Sequence, residues 1–337
     1  MLVAKPKIGL KKKILPVTTP NSAEAEQESI QKADTKAESP RKFQIVIGGR
    51  YTLGKKLGSG AYGEVYYGLD KIANEKNKHQ LVAIKLEYRH NKMITIESEN
   101  KMYEILYQPN IGIPRLFWNG IQDEYHVLVM ELIGPSLEQL LKSCGGKFSL
   151  GTVALIGKQI LRIINYVHSK GVVHRDIKPE NFLVKINTSM LYLIDFGLCK
   201  KLINDDNTHI PPAKTNKFIG TLRYSSLNSH RGYELSRRDD LENIAYMLIY
   251  LAKGKLPWQG LPCPKTADIK KLIFKSKLST SHQTLCEGLP YQFVQFLDYI
   301  KSLDFATQPN YRHLYVLLDT IHRNNCSDVT NLDWNNI

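Results

Sequence analysis

The feature that most constrains the fold is a pair of short polar segments, each set directly against apolar residues. The first, residues 174–181, reads HRDIKPEN and lies between the apolar residues 172–173 and 182–184. The second, Asp195-Phe196-Gly197, follows the apolar residues 191–194. Two short buried strands flanked in this way predict a hairpin that brings carboxylate and amide oxygens together. Such oxygens are the ligands that Mg²⁺ prefers in proteins.

Length and composition limit the possible classes of protein. With 337 residues, 42% of them hydrophobic, the chain can form one large domain in two lobes or two ordinary domains, and disorder throughout is excluded. No stretch reaches about eighteen apolar residues, and the Lys-rich amino terminus lacks the apolar middle of a signal peptide. We expect a soluble cytoplasmic protein without a membrane anchor. The run Lys11 to Lys13 is a candidate nuclear address, and a solvated charge cluster is the commoner alternative.

The cysteines and the net charge narrow the choice of partners. The five cysteines are far apart and form no CxxC pair, which favours reduced thiols over a zinc site. A net charge of +14 favours acidic partners, which include nucleic acid, anionic lipid and acidic proteins. Because the sequence has neither a recognition module nor aromatic residues interleaved with the basic ones, we expect no specific nucleic-acid binding.

The hydrophobic pattern changes twice along the chain. Residues 1–45 have no sustained period and are predicted to be a disordered extension, with a loosely helical one as the alternative. Residues 46–132 are predicted to form a small β-rich lobe with one main helix, and residues 135–337 a larger helical lobe. The predicted strands cover residues 51–53, 64–68, 81–86, 115–118 and 125–131. The predicted helices cover residues 94–107, 150–170, 239–251, 291–303 and 313–324. The expected fold class is therefore α+β, with two lobes.

A glycine-rich loop precedes the second predicted strand. Gly58 to Gly63 reads GSGAYG and fits GxGxxG, which alone is weak because such loops also open dinucleotide-binding helices. A dinucleotide site requires a helix after the glycines, whereas residues 64–67 continue as a strand. The glycines therefore lie at a hairpin tip, where backbone amides can approach a phosphate without an intervening Cβ. A plain hairpin turn is the alternative.

The third predicted strand places a lysine next to apolar residues, in Val82-Ala83-Ile84-Lys85. Burying an ammonium group is costly unless an anion is paired with it. The helix that follows offers Glu97 and Glu99, and we favour Glu99 because Tyr103 lies one turn further along the same face. A lysine that points into water is the alternative.

The two polar segments carry side chains suited to phosphoryl transfer, which requires positioning and charge neutralisation. Asp176 is the candidate that orients an attacking hydroxyl group and accepts its proton, and Lys178 can reach the transferred group. Asn181 and Asp195 offer an amide and a carboxylate oxygen to one Mg²⁺ ion. A charged loop that caps strands is the alternative, but it does not explain the order of the glycine loop, Lys85 and Asp195 along the chain.

The motifs GSGAYGEV, VAIK, HRDIKPEN and DFG resemble those of eukaryotic protein kinases. Five further segments resemble the casein kinase 1 family in particular. They are GPSLEQLL (134–141), YVHSKGVVHRDIKPENFLV (166–184), GTLRYSSLNSH (220–230), SRRDD (236–240) and LPWQGL (256–261). The resemblance runs from Tyr51 to Trp334. It implies a bilobal kinase fold and a Ser/Thr protein kinase that uses ATP and Mg²⁺.

The resemblance also implies roles for single residues. Lys85, held by Glu99, would anchor the nucleotide phosphates, and Asp240 would anchor the backbone of the catalytic loop. For Asp240, an acid favoured at a helix amino terminus is the alternative. Residues 130–133 would form the hinge that contacts adenine. The implied nucleotide-binding residues are Leu57, Gly58, Ser59, Gly60, Ala61, Tyr62, Gly63, Glu64, Val65, Ala83, Lys85, Met130, Glu131 and Ile133.

The family resemblance implies acidic or phosphorylated protein substrates. It also implies activity without phosphorylation of the activation segment, which runs from residue 195 to residue 228. We expect a constitutively active monomer. Most kinases have Ala-Pro-Glu at the position of Ser226-Leu227-Asn228. The three residues here resemble Ser-Ile-Asn, the variant found in the casein kinase 1 family. Arg223 is the candidate that binds a phosphate on a primed substrate, but the basic run that follows Leu261 is interrupted by neutral residues and Asp268. A pseudokinase scaffold is the main rival, and it is disfavoured because no required residue is missing.

Overall fold

The computed structural model describes residues 45–60, 63–73, 79–90, 96–186, 188–204, 206–262, 268–325 and 332–336. Apart from residue 45, the predicted disordered extension lies outside the described residues. The described residues form a β-rich amino-terminal lobe and a helical carboxy-terminal lobe. The predicted α+β bilobal fold is confirmed.

The amino-terminal lobe is a six-stranded antiparallel sheet with helix α1 (Ile96–Leu106) against it. Its strands are β1 (Val46–Ile47), β2 (Tyr51–Ser59), β3 (Glu64–Ala73), β4 (His79–Tyr88), β5 (Leu116–Gln122) and β6 (Tyr125–Glu131). The order across the sheet is β1-β2-β3-β4-β6-β5, so the first four strands are neighbours in sequence and in space. Strands β2 and β5 run further than predicted because β3 and β6 continue to pair with them.

Strand β4 lies within the sheet, and its side chains alternate between the two faces. Val82, Ile84 and Leu86 pack on one face in a small apolar cluster with residues of β1, β2 and β6. Ala83 belongs to the main core on the other face, together with residues of α1. Lys85, two residues further on, shares the face of Ala83. The pleat of the strand thus directs a lysine towards helix α1.

The carboxy-terminal lobe is built around two long, largely buried helices, α3 and α5. Its helices are α2 (Leu137–Ser143), α3 (Leu150–Ser169), α4 (Leu227–Arg231), α5 (Arg237–Lys253), α6 (Ile269–Ser279), α7 (His282–Leu285), α8 (Gln292–Lys301) and α9 (Tyr311–Asn325). Its strands form two short antiparallel pairs, β7 (Val172–Val173) with β10 (Lys200–Lys201) and β8 (Phe182–Val184) with β9 (Leu191–Leu193). The second pair is the hairpin predicted from the polar segments.

Capping residues explain where several helices begin. Ser149 caps α3 as predicted, because its hydroxyl oxygen accepts a hydrogen bond from the Thr152 amide at 3.3 Å. Helix α5 begins earlier than predicted, because the Asp239 carboxylate accepts a hydrogen bond from the Ser236 amide at 2.8 Å at the start of the helix. Helix α2 was not predicted, although Ser136 begins a capping box in the sequence.

Candidate active site

The predicted partner of Lys85 lies one turn inside helix α1. The buried residues of α1 follow helical spacing, at Ile96, Glu99, Tyr103 and Leu106, so Glu99 is part of the stripe that faces the core. Lys85 Nζ lies 2.6 Å from Glu99 Oε2 and 3.2 Å from Asp195 Oδ1. The other candidate, Glu97, is directed outwards, and 70% of its side chain is exposed. Helical spacing therefore selected the glutamate that pairs with the lysine.

Burial and charge act in opposite directions on this cluster. Burial raises the pKa of Glu99 to about 7, and the positive charge of Lys85 opposes this rise. Burial alone would lower the pKa of Lys85, but Glu99 and Asp195 together raise it above its ordinary value. Burial also opposes ionisation of Asp195, yet Lys85 and Lys178 bring its pKa below the usual range. Lys85 and Asp195 are therefore charged near neutral pH.

We predict that kcat/KM falls as the pH decreases through about 7, because Glu99 takes up a proton and ceases to be a charged partner for Lys85. The pKa of Glu99 lies above its ordinary value of 4.5, so the ion pair is fully present above this window and lost below it. Steady-state kinetics from about pH 5.5 to about 8.5 would measure the acid limb. The same limb in the Glu99→Gln enzyme would contradict the assignment to Glu99.

A second glutamate on β4 fixes the start of helix α1. Glu87 is fully buried, and its Oε2 atom accepts a hydrogen bond from the Ile96 amide at 2.9 Å. The first amides of a helix lack partners within the helix, so this carboxylate satisfies one of them. Glu87 therefore ties α1 to the strand that carries Lys85. Sequence reasoning missed Glu87 because its partner lies in another element.

The glycine-rich segment forms the tip of the β2–β3 hairpin, where the Gly60 amide donates to the Gly63 carbonyl oxygen at 2.9 Å. A Cβ atom at Gly63 would clash with the Leu86 carbonyl oxygen on β4, so packing within the protein explains this glycine. Among the described residues, and apart from the chain neighbours, a Cβ atom at Gly58 or Gly60 would meet no atom within 4 Å. These two glycines leave open space along the hairpin, as expected if a phosphate approaches it. The predicted site residues Ala61 and Tyr62 lie outside the described residues.

The connection between the lobes runs beside strand β8. The Ile186 amide donates to the Ile133 carbonyl oxygen at 3.2 Å, and Lys185 Nζ lies 2.8 Å from Glu131 Oε1. Met130, at the end of β6, is buried, and its sulfur accepts a weak hydrogen bond from the Tyr103 hydroxyl at 3.8 Å. The predicted hinge residues therefore join the sheet, helix α1 and the β8–β9 hairpin.

A buried aspartate organises the backbone of the HRDIKPEN segment. The carboxylate of Asp240, which is fully buried, accepts hydrogen bonds from the amides of His174 at 2.7 Å and Arg175 at 2.8 Å. The same carboxylate lies 2.9 Å from His168 Nε2. Arg175 has a φ of 69°, a conformation that costs energy for a side chain other than glycine. The Asp240 contacts hold the backbone in this bend, which is the anchoring that the family resemblance implied.

Asp176 lies directly after this bend, and its carboxylate is held from two sides. Lys178 Nζ lies 2.5 Å from Asp176 Oδ2, and the Thr221 hydroxyl donates to Asp176 Oδ1 at 2.7 Å. Asn181 Nδ2 donates to the Asp176 carbonyl oxygen at 2.9 Å. Sequence reasoning gave Thr221 no role in the site. Its contact with Asp176 depends on tertiary structure, and the local pattern carries no signal for it.

The β8–β9 hairpin brings the two predicted metal ligands to one end. Asn181 precedes β8 and Asp195 follows β9, and the Ile194 amide donates to the Asn181 carbonyl oxygen at 2.9 Å. Phe196 packs edge-on against Tyr103 at 4.8 Å and contacts His174 at 5.4 Å, measured between ring centroids. This packing holds Asp195 between α1 and the catalytic loop. In the described part of the chain, no group of three or more His, Cys, Asp and Glu side chains could hold a metal by itself.

Arg175 of the catalytic loop contacts the segment after Phe196 and a buried glutamate, Glu234. Arg175 Nε donates to the Leu198 carbonyl oxygen at 2.6 Å, and its guanidinium lies 3.6 Å from Glu234. Lys200 Nζ lies 2.6 Å from the other oxygen of Glu234. A carboxylate of the protein itself therefore pairs with both Arg175 and Lys200.

Arg223 packs against aromatic rings rather than extending freely. Its guanidinium lies 5.1 Å from the ring centroid of Tyr250 and 5.6 Å from that of Tyr224. Its Nη1 atom donates to the Tyr224 hydroxyl at 3.2 Å. The first part of the interrupted basic run, residues 263–267, lies outside the described residues. In the rest of that run, Lys270 lies over the Phe218 ring at 4.8 Å.

The family model for the protein kinase domain matches residues 51–315, more than three quarters of the chain. The chain therefore belongs to the protein kinase family. Members of this family act on protein substrates and use ATP with a divalent metal ion. Among the helices of the described residues, none has the length and apolar character needed to span a bilayer.

Proposed function

We propose that the protein is an active Ser/Thr kinase of the casein kinase 1 type. It would transfer the γ-phosphoryl group of ATP to Ser or Thr residues of acidic or pre-phosphorylated proteins, with Mg²⁺ as the metal. The observation that best supports this proposal is the carboxylate of Asp176, which is held between the Lys178 ammonium group and the Thr221 hydroxyl group. A general base must be oriented before it can accept a proton, and these two contacts orient it.

The residues around Asp176 fit a nucleotide and a metal ion. Asn181 and Asp195 present the oxygen ligands that Mg²⁺ prefers, and Lys85 offers a charged partner for phosphate oxygens. The open space beside Gly58 and Gly60 would accommodate the phosphates. When bound, ATP and Mg²⁺ would supply the phosphoryl group and neutralise its developing charge.

In the proposed reaction, each side chain of the protein has a separate task. Asp176 would orient the substrate hydroxyl group through its carboxylate and accept the proton. Lys178, already in contact with Asp176, would remain close enough to stabilise the transferred group. Glu99 would keep Lys85 extended under helix α1, so that the lysine meets the phosphates without reorganisation. The lysine at position 178 favours Ser/Thr over Tyr as the acceptor, because tyrosine kinases usually lack it.

Constitutive activity is supported by the contacts of Glu234. Because Glu234 already pairs with Arg175 and Lys200, a carboxylate of the protein itself engages the arginine that would hold a phosphorylated loop residue in other kinases. We therefore expect the turnover of the enzyme to be unchanged after treatment with a phosphatase. A loss of turnover that returns on rephosphorylation would overturn this part of the proposal.

The substrate class can be tested with peptides that carry a phosphoserine, a glutamate or an alanine before the target serine. We expect the phosphorylated peptide to have the highest kcat/KM and the alanine peptide the lowest. Replacing Arg223 by Ala should abolish the advantage of the phosphorylated peptide, because it removes the guanidinium that would pair with the phosphate. If priming brings no gain and Arg223→Ala changes nothing, the anion site must be abandoned. Phosphoamino acid analysis of the products would identify the acceptor residue.

A further inference from the structure

A buried lysine in the carboxy-terminal lobe has no task in the proposed reaction. Lys277 lies on helix α6, and only 3% of the residue is exposed. Its Nζ atom donates to two backbone carbonyl oxygens, those of Leu222 at 3.0 Å and Ser225 at 2.5 Å. It also lies 5.0 Å from the ring centroid of Tyr246 and 5.1 Å from that of Trp258. A lysine is rarely buried to this extent without specific partners, and here both of its hydrogen-bond acceptors belong to one short loop.

Two other side chains hold the backbone of the same loop. The indole Nε1 of Trp258 donates to the Arg223 carbonyl oxygen at 2.7 Å, and the Leu227 amide donates to Glu242 Oε1 at 2.9 Å. The segment from Thr221 to Leu227, which we call the substrate loop, is therefore fixed at four backbone positions by side chains from other elements. Lys277 alone accounts for two of them.

The substrate loop carries one side chain that contacts Asp176 and another that is proposed to meet the substrate. Thr221, the residue before the first clamped carbonyl group, donates its hydroxyl proton to Asp176 at 2.7 Å. Arg223, between the clamped carbonyl groups of Leu222 and Ser225, carries the guanidinium proposed to meet a substrate anion. A loop fixed by its carbonyl groups presents these two side chains at constant positions. The lysine thus acts on the site through the backbone, with no contact of its own with Asp176.

We propose that Lys277 is a positioning residue for the protein substrate. Its Nζ atom holds the substrate loop against helix α6, so that Thr221 orients Asp176 and Arg223 faces the incoming peptide. This inference rests on the proposed function. It also predicts an effect on the peptide substrate and not on ATP. The nucleotide site is built from β2, β3, β4, the hinge and the β8–β9 hairpin, and Lys277 has no described contact with these elements. Loss of the clamp should therefore weaken the use of peptide and leave the use of ATP unchanged.

The test replaces Lys277 by Met, which has a similar length and no hydrogen-bond donor. We expect KM for a peptide substrate to rise about tenfold or more, because two buried carbonyl groups lose their partner and the loop shifts. KM for ATP should stay within about twofold. The matched control is Lys253→Met, because Lys253 Nζ donates to the carbonyl oxygens of Leu285 and Glu287, both at 3.1 Å and both outside the substrate loop. The control should leave both KM values unchanged.

Two further measurements keep the test decisive if Lys277→Met does not fold. Trp258→Phe removes one donor from the same loop and keeps an aromatic ring, so it should raise the peptide KM without changing the ATP KM. Hydrogen–deuterium exchange of residues 221–227 needs no turnover and should be faster in Trp258→Phe than in wild type. If the wild-type protein has no kinase activity but residues 221–227 still exchange faster in the variants, the proposed function is overturned and the clamp stands. Unchanged peptide KM in both variants, or an equal rise in both KM values, would overturn the positioning role.

Discussion

Replacing Asp176 by Asn is expected to lower kcat for casein by roughly a hundredfold to ten-thousandfold, the usual contribution of a general base. The amide has the shape of the carboxylate but cannot accept a proton, and it loses the charge that attracts Lys178 at 2.5 Å. Nucleotide affinity should change little, because Lys85 keeps both of its carboxylate partners, Glu99 and Asp195. Steady-state kinetics and a titration with nucleotide would measure the two quantities separately.

The control for this substitution is Asp206→Asn. Asp206 is exposed in the activation segment and accepts a hydrogen bond from the Thr208 hydroxyl at 2.6 Å, so it offers the same chemical change away from the reacting groups. Its turnover should match that of wild type. Unchanged turnover in Asp176→Asn would exclude Asp176 as the base and would leave the HRDIKPEN segment without the function assigned to it.

Replacing Asp240 by Asn is expected to reduce the free energy of unfolding by about 3–5 kcal/mol and to abolish activity. The carboxylate is fully buried and accepts hydrogen bonds from the amides of His174 and Arg175, while His168 contacts it from a third side. The NH₂ group of Asn would face at least one donor, so a buried amide would lose its acceptor. Since these contacts hold Arg175 in its left-handed conformation, Asp176 would lose its position as well.

Urea unfolding of Asp240→Asn, compared with that of Asp298→Asn as the control, would measure the loss in free energy of unfolding. Asp298 is paired with His282 at 2.6 Å, but half of its side chain is exposed, so its loss should cost no more than about 1 kcal/mol. Equal stabilities for the two variants would contradict the role of Asp240 as the anchor of the catalytic loop.

Local pattern was sufficient for much of the fold and for part of the site. A β-rich apolar run predicted strand β4, and helical spacing with Tyr103 selected Glu99 over Glu97, because both signals are local in the sequence. The β8–β9 hairpin followed from two polar breaks around apolar residues. Helix α2 was missed because it is short and its capping box was overlooked. Helix α6 was missed because it begins directly after an interrupted basic run that offered no clear periodicity.

The groups that sequence reasoning missed act across long separations in the chain. Thr221 reaches Asp176 from 45 residues away, and Lys277 reaches Leu222 from 55 residues away. Glu234 meets Lys200 from 34 residues away. A single sequence carries no periodic signal for such contacts, because they depend on how the helices of the carboxy-terminal lobe pack. The distant contact that was expected, that of Asp240 with the catalytic loop, came from the family resemblance, whereas those of Thr221, Lys277 and Glu234 required the structure.

The most direct test of kinase activity is the transfer of label from [γ-³²P]ATP to casein by the phosphatase-treated wild-type protein, with Mg²⁺ and with a chelator. The account predicts label on casein serine or threonine with Mg²⁺, loss of that label with the chelator, and almost none with Asp176→Asn. Binding of nucleotide without any transfer of label to casein or to the acidic and phosphorylated peptides would contradict the account and would identify the protein as a scaffold with a kinase fold.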